Sequence, residues 1–241
     1  MEKMTAMRAG GAKLHQIKLQ LQEFSTVGRK LADIDALAHK LLLDAGAKPN
    51  FNLVPGYKWV CCINRNAGIV HGIPDDSLIE NGDLISIDLG LIWEGWNLDT
   101  SISFIAGDST PTKDHFLAVG QKALRKAISE VSPGNSVYDV SRQIEKTVRK
   151  AGFDPTYQLT GHFIGRQLHE SPMIPCFAQK SDRRKILKVG DALAIEVMYA
   201  MGECDLQLAA DGWTYETIDG SLTALFEDTV LVTEDGPEVV T

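Results

Sequence analysis

The sequence lacks the features of membrane, secreted and nucleic-acid-binding proteins. Nowhere in its 241 residues does an apolar run approach the ~20 residues that a membrane-spanning helix needs. Its N-terminal residues lack the apolar core of a signal peptide, so we expect a protein without a secretory leader. With 24 basic and 32 acidic residues, the net charge is −8, which disfavours binding to a phosphate backbone. We therefore expect no membrane partner and no direct contact with nucleic acid.

Cysteine is also scarce, and its spacing excludes two further classes of protein. The four cysteines are Cys61, Cys62, Cys176 and Cys204. They resemble neither the framework of a disulfide-rich domain nor a zinc ribbon, and a reducing cytoplasm is their simplest setting. The hydrophobic content of 44% is ordinary for a globular chain that can bury a core.

The order of predicted elements indicates an α+β fold. Apolar residues at helical spacing predict helices over residues 14–24, 31–42, 113–131 and 137–151. Short apolar runs broken by Gly, Asn and Pro predict strands over residues 59–63, 84–93, 98–105, 192–201, 206–210, 213–218 and 222–232. Because a helix pair and its strands occur twice, we expect two related halves at about 1–110 and 111–241. No obvious linker or low-complexity segment separates them, which favours one compact domain spanning 1–241.

Two aspartates interrupt apolar strands, where an unpaired carboxylate is costly. Asp99 follows Asp88 by eleven residues, and the intervening residues 94–95 are Glu-Gly, which favours a two-residue hairpin turn. That turn places Asp88 opposite Ser101 and Asp99 opposite Gly90. The aspartates then become diagonal neighbours on one face, roughly 7–8 Å apart at the backbone. Both carboxylates can reach a pair of cations ~3.5–4 Å apart.

Glu196 and Glu227 repeat the anomaly in two later strands. A single acid in a strand is most often an edge residue with its side chain in water. Four such acids on separate strands indicate an oxygen-rich site for divalent cations, because carboxylates so close together need a cation between them.

The six histidines divide into two groups. The default position is the surface for His15, His39 and His115, which fall among polar residues of predicted helices. Of the other three, His71 is flanked by turn formers, while His162 and His169 lie seven residues apart, which is not the spacing of a zinc-binding helix. Taken alone, each of these is more often a structural histidine than a catalytic one.

In this order, the residues resemble the methionine aminopeptidases of metallopeptidase family M24. The resemblance rests on His71-Gly72-Ile73-Pro74, the aspartates eleven apart, Gly161-His162 with His169-Glu170, and the late glutamates. It covers nearly the whole chain and implies the pita-bread fold, with two pseudo-symmetric halves of helix pairs packed on a curved antiparallel sheet. The short spacing between the late glutamates excludes the helical insertion of the type 2 branch, so the resemblance is to a minimal type 1 enzyme.

The resemblance implies two divalent metal ions (Co, Mn, Fe or Zn) held by Asp88, Asp99, His162, Glu196 and Glu227. Asp99 and Glu227 would bridge both ions. Asp88 would bind one ion, while His162 and Glu196 complete the other. The implied reaction removes the N-terminal methionine from peptides and nascent proteins by hydroxide attack on the first peptide bond, with Glu196 as the proton shuttle. His71 would contact the substrate at the scissile bond, and His169 would stabilise the carbonyl oxygen.

The resemblance also implies an apolar pocket for the methionine side chain. Its residues would be Tyr57, Cys62, Leu168 and Trp213, with His71 and His169 completing the substrate site. Leu168 and Val54 stand where aromatic residues are common in the family. Further departures from the family pattern beside the predicted ligands are Phe163, Val197 and Leu225. We expect a cytoplasmic monomer, and the ribosome is a candidate partner.

Two alternatives stay open at the level of sequence. An Xaa-Pro aminopeptidase or dipeptidase shares the fold, and Val197 in place of the family's proline after Glu196 permits that activity. Against it stand His71-Gly72-Ile73-Pro74 and the short N-terminal region. A non-catalytic binding protein on the same fold is the second alternative, although such relatives normally lose ligand residues that are all present here.

Overall fold

The computed structural model describes residues 2–241, and these form four α-helices and thirteen β-strands. The helices are α1 (Lys3–Phe24), α2 (Leu31–Asp44), α3 (Pro111–Ile128) and α4 (Val137–Lys150). The strands are β1 (Lys48–Pro49), β2 (Cys61–Arg65), β3 (Gly68–Val70), β4 (Leu84–Trp93), β5 (Trp96–Ile105), β6 (Asp154–Pro155), β7 (Thr160–Phe163), β8 (Glu170–Pro175), β9 (Ala192–Ala200), β10 (Leu206–Leu208), β11 (Tyr215–Thr217), β12 (Thr223–Thr233) and β13 (Gly236–Val239). Two short 3₁₀ helices lie at Phe51–Leu53 and Lys180–Arg184.

Ten of these strands form one antiparallel sheet that runs through the molecule. Its order is β1–β4–β5–β12–β9–β7–β8, while β2 also pairs with β4, β6 with β9, and β13 with β12. The pairing of β5 with β12 joins the N-terminal strands to the C-terminal ones. A separate three-stranded sheet has the order β10–β11–β3.

Each helix pair covers its own apolar core. Beneath α1 and α2, side chains such as Ile34 and Ile87 are buried with the first hairpin. Beneath α3 and α4, residues such as Phe116, Ile144 and Ile195 are buried with β9 and β12. This arrangement confirms the predicted α+β architecture of helix pairs on an antiparallel sheet. The division into halves at about residue 110 stays a prediction.

The first helix begins eleven residues earlier than predicted, at Lys3. Apart from Met7, the buried face of its first turns consists of small residues, Ala6, Gly10 and Gly11, so the spacing of large apolar residues does not reveal these turns. A Cβ atom at Gly10 would lie 2.7 Å from the Trp93 side chain, and one at Gly11 would collide with the carbonyl of Val240. Glycine therefore lets α1 approach the sheet closely, although it weakens a helix elsewhere.

The first hairpin forms as predicted, with Trp93 opposite Trp96 across the Glu94-Gly95 turn. The strand predicted at 59–63 lies two residues later, as β2. At its start, the backbone N–H groups of Val60 and Cys61 donate to Asp35 Oδ1 (2.9 and 3.1 Å). The third predicted helix ends three residues early, at Ile128, and the predicted strands at 206–210 and 213–218 shorten to β10 and β11.

The structure also describes two features that the composition addressed, namely membrane-spanning helices and cysteines. Within residues 2–241, no helix is both long and apolar enough to cross a membrane. All four cysteines are buried and carry free thiols.

Candidate metal centre and substrate pocket

The five residues predicted as metal ligands lie on five different strands of the main sheet. Asp88 is on β4, Asp99 on β5, His162 on β7, Glu196 on β9 and Glu227 on β12. In the sheet order these strands are consecutive neighbours, so the five side chains can converge although their sequence positions span most of the chain.

The strand registers fix which face each acid occupies. Asp88 pairs with Ser101 and Asp99 with Gly90, so the predicted diagonal relation of the two aspartates is confirmed. Glu227 pairs with Glu196 on one side and with Ser101 on the other. Residues that are directly opposite or diagonal in this way share a face of the sheet. The four carboxylates therefore form a compact patch at the centre of the sheet.

A single cavity of about 170 Å³ lies over this patch. Its wall contains all five predicted ligands, the two histidines predicted to contact the substrate and the four predicted pocket residues. The full lining is Phe51, Val54, Tyr57, Cys62, Val70, His71, Asp88, Asp99, His162, Leu168, His169, Glu196, Trp213 and Glu227. The structure thus brings together every residue that the sequence assigned to the site.

His162 is oriented towards the carboxylates. Its Nδ1 lies 3.0 Å from the carbonyl oxygen of Phe163, so the tautomer protonated at Nδ1 leaves Nε2 as a free electron-pair donor. That Nε2 lies 3.7 Å from Oε1 of Glu196 and 4.0 Å from Oδ2 of Asp99. Ligand atoms of Asp99, His162 and Glu227 lie within 4.8 Å of one another, a spacing that one ion can bridge.

The buried surroundings of the site shift the pKa values of the four acids and of His162. Burial raises the pKa of Asp88 to about 7. Burial, together with neighbouring carboxylates, raises the pKa of Asp99, Glu196 and Glu227 well above the usual range. Burial also lowers the pKa of His162 to about 4, so the imidazole is neutral at pH 7. None of the cavity-lining residues among 2–241 is a lysine or arginine.

Two buried carboxylate oxygens of the cluster have no hydrogen-bond partner, namely Oδ1 of Asp88 and Oε1 of Glu227. A buried polar atom without a partner costs ~1–3 kcal/mol, and more if it is charged. Four clustered carboxylates, two of them with an unpartnered oxygen, and one neutral imidazole are the donor set that divalent cations take in proteins. The residues present therefore fit a metal centre.

His71 and His169 line the same cavity, where each side chain is partly enclosed by the walls and partly open to solvent. The His169 ring stands edge-on to His162, with centroids 4.5 Å apart. His71 follows β3 in a left-handed backbone conformation (φ 59°), which is uncommon for residues other than glycine and clusters at functional sites. Desolvation by the cavity walls lowers the pKa of both imidazoles, so both are neutral at pH 7.

The apolar wall of the cavity is built around Tyr57. Its hydroxyl lies within hydrogen-bond distance of Cys61 O (3.0 Å), Gly72 O (3.2 Å) and Cys62 Sγ (3.2 Å), which fixes the ring against β2. Trp213 packs edge-on to the same ring, with centroids 5.1 Å apart. The aromatic groups thus form a rigid, mostly apolar pocket beside the acids.

Two residues that line the cavity, Phe51 and Val70, are not predicted from the sequence. Phe51 lies in a single 3₁₀ turn without any periodic pattern. Val70 directly precedes His71, and that adjacency was the one signal that could have identified it.

The residues that depart from the family pattern fall into two groups in the structure, those that line the cavity and those that pack in the core. Leu168 lines the cavity, as does Val54. Phe163 instead packs against the apolar core under α3 and α4, where Val197 and Leu225 are fully buried. These three side chains do not line the cavity, so the substitutions that bear directly on its shape are those at Leu168 and Val54.

Solved structures with the same architecture identify the class of protein. The crystal structure of a methionine aminopeptidase from Thermotoga maritima superposes with a TM-score of 0.95 at 32% identity, covering 99% of this chain and 96% of that one. A prolidase from Pyrococcus furiosus superposes with a TM-score of 0.80 at 21% identity and is covered over only 63% of its length, which shows the fold alone. The fold and the site are those of a metal-dependent hydrolase with the pita-bread fold.

Sequence comparison gives the family. Metallopeptidase family M24 matches residues 5–234. A methionine aminopeptidase of Aquifex aeolicus is 36% identical over 220 residues, which are 87% of this chain and 84% of that protein. The chain belongs to metallopeptidase family M24.

Proposed function

We propose that the chain is a dinuclear-metal aminopeptidase that removes the N-terminal methionine from peptides and nascent proteins. The observation that carries this proposal is the single cavity in which four carboxylates and His162 adjoin an apolar pocket. Residues 1–241 would act as one catalytic domain, with halves at about 1–110 and 111–241. The enzyme would be a cytoplasmic monomer, and the ribosome is the candidate site at which it meets nascent chains.

In the proposed metal centre, Asp99 and Glu227 would contribute to holding both ions. Asp88 would contribute to holding one ion, and His162 with Glu196 would contribute to holding the other. Support comes from the buried, unpartnered oxygens of Asp88 and Glu227 and from the free Nε2 of His162. When bound, a pair of Co, Mn, Fe or Zn ions supplies the Lewis acidity that activates water and polarises the first peptide carbonyl.

The protein's own groups would move the protons of the hydrolysis. Glu196, whose carboxylate lines the cavity beside the other proposed ligands, would accept a proton from the attacking water and pass it to the leaving amine. His169 is neutral at pH 7 and can donate its one N–H to the carbonyl oxygen as negative charge develops there. His71, which lines the same cavity, would hold the substrate backbone at the scissile bond.

The apolar wall would hold the methionine side chain. Tyr57, Cys62 and Trp213 provide a rigid surface, and Phe51 extends it. Leu168 closes the pocket with an aliphatic side chain where the family commonly has an aromatic one. A thioether is flexible and polarizable, and it packs well against mixed aromatic and aliphatic surfaces.

Cleavage of matched peptides separates this proposal from an Xaa-Pro peptidase. With Mn²⁺ present, we expect Met-Ala-Ser to be hydrolysed with a kcat/KM at least ~100-fold above that for Ala-Pro-Ser, because binding energy comes from the methionine pocket. Ala-Ala-Ser is the control, since it lacks only the methionine side chain and should also be poor. Release of the first amino acid is measured by chromatography. Faster cleavage of Ala-Pro-Ser would favour the Xaa-Pro activity instead.

A further inference from the structure

A buried lysine lies behind the metal-ligand strands. Lys18 on α1 is 6% exposed, and its ammonium donates to Thr100 Oγ1 (2.7 Å) and Asp228 Oδ1 (2.9 Å). Taking an ammonium out of water is costly unless it is paired and hydrogen-bonded. Its position in a helical run gave no sign of this role at the level of sequence.

Both partners of Lys18 adjoin a proposed metal ligand. Thr100 follows Asp99 on β5, and Asp228 follows Glu227 on β12. Because successive side chains of a strand point to opposite faces, the two ligands face the cavity while their neighbours face α1. Thr100 and Asp228 are direct partners in the register of the two strands. Lys18 therefore bridges the strands on the reverse side of the site.

Strands β5 and β12 have few direct residue pairs where Lys18 bridges them. The direct pairs between β5 and β12 are Glu227 with Ser101 and Asp228 with Thr100. On one side of them, Ser103 Oγ bonds both the N–H and the C=O of Leu225. On the other side, a threonine hydroxyl from β12 bonds both the N–H and the C=O of Asp99. Hydroxyl groups thus replace backbone pairing on both flanks of the segment that Lys18 bridges.

Thr100 connects the lysine to both of these ligands. Its hydroxyl donates to the carbonyl oxygen of Glu227 (2.9 Å), and its backbone N–H donates to Oδ1 of Asp99 (3.1 Å). Any shift of the Thr100–Asp228 pair would therefore be transmitted to the two carboxylates on the other face.

We propose that Lys18 is a positioning residue of the metal centre, whose contacts with Thr100 and Asp228 set the spacing of the Asp99 and Glu227 carboxylates. The inference rests on the proposed function, since it concerns the same two metal ligands. Metal affinity and turnover depend on ligand placement to within about 1 Å, and outer-shell groups that orient ligands contribute ~10–100-fold to affinity or activity.

The double variant Lys18→Met/Asp228→Asn tests this role without leaving a buried charge unpaired. We expect it to fold, to bind Mn²⁺ about 10-fold more weakly by calorimetry, and to lose about 10-fold in kcat. KM for Met-Ala-Ser should stay within about 2-fold, because the apolar pocket is not touched. The single variant Lys18→Met should in addition lower the melting temperature, since Asp228 then lacks its partner.

Lys185→Met is the matched control, because it removes the 2.9 Å partner of another buried acid, Asp182, away from the cavity lining. It should lose stability while keeping its affinity for Mn²⁺. A double variant with wild-type Mn²⁺ affinity and kcat would overturn the positioning role and leave Lys18 with a structural role alone. If the wild-type protein itself binds no Mn²⁺, the proposed function fails, and the positioning role fails with it.

Discussion

Replacing Asp99 by Asn is expected to abolish metal-dependent turnover and, at the same time, to stabilise the metal-free protein. The amide keeps the shape of the side chain and can still accept the hydrogen bond from the N–H of Thr100. It cannot serve as an anionic ligand shared by two ions. The loss of kcat should exceed the ~100-fold that marks an outer-shell defect.

The gain in stability follows from the sign of the pKa shifts. A carboxyl whose pKa is raised in the folded state contributes stability that is lost as the pH rises through that pKa. For Asp88, with a pKa of about 7, that loss is nearly complete at pH 8. The raised pKa of Asp99 lowers the free energy of unfolding of the metal-free protein in the same way. Removing one of these charges should raise the melting temperature of metal-free protein at pH 8 by roughly 2–4 °C per kcal/mol of repulsion relieved.

Two scans check this prediction. Thermal melts at pH 8, with chelator and with Mn²⁺, should show that metal raises the melting temperature of wild-type protein much more than that of Asp99→Asn. Asp44→Asn is the control, since Asp44 is an exposed acid at the end of α2. An Asp99 variant that is less stable than wild type without metal, or that still turns over, would contradict the assignment.

His71→Ala is expected to abolish most turnover while leaving the metal content nearly unchanged. His71 lines the cavity but does not belong to the proposed ligand set. A group that contacts the substrate at the scissile bond contributes ~10²–10⁴-fold when it takes part in proton transfer or hydrogen bonding there. Metal content is measured by elemental analysis, and kcat by steady-state kinetics on Met-Ala-Ser.

His39→Ala is the control for the His71 variant, because His39 is exposed on α2 and lies outside the cavity lining. It should keep both metal and activity. Loss of metal in His71→Ala would make this histidine a ligand, and full activity would remove it from the catalytic set.

Much of the site could be predicted because its chemistry conflicts with its surroundings. Acids within apolar strands are costly, and this cost marks Asp88, Asp99, Glu196 and Glu227 without any structure. The hairpin register followed from the Glu94-Gly95 turn, whose φ values of 52° and 76° are those that such a turn needs. A local rule therefore gave a correct spatial relation between two residues.

Other parts of the fold depend on contacts that leave no periodic pattern. The first turns of α1 pack through Gly10 and Gly11, whose role is close approach to the sheet. Strand β7 carries His162 but contains glycine and is only four residues long, so alternation cannot identify it. Its pairing with β9 and β8 is set by tertiary structure.

The same limit applies to the surroundings of the site. Phe163, Val197 and Leu225 stand beside proposed ligands in sequence, yet their side chains point into the core because neighbours in a strand face opposite ways. Lys18 is far from the ligands in sequence but lies directly behind them. Residues close to a ligand in sequence can therefore lie outside the cavity, and a residue far from it in sequence can contact its strand.

The most direct test of the account is metal reconstitution with turnover followed at each step. Protein freed of metal by chelator is titrated with Mn²⁺ or Co²⁺, and release of methionine from Met-Ala-Ser is measured beside bound metal per chain. We predict no turnover without metal, restored turnover as ions bind, and saturation of the sites at two ions per chain. The aminopeptidase assignment is contradicted if the protein binds no divalent ion and releases no methionine after the addition of either metal. That result would favour a non-catalytic binding protein on the same fold.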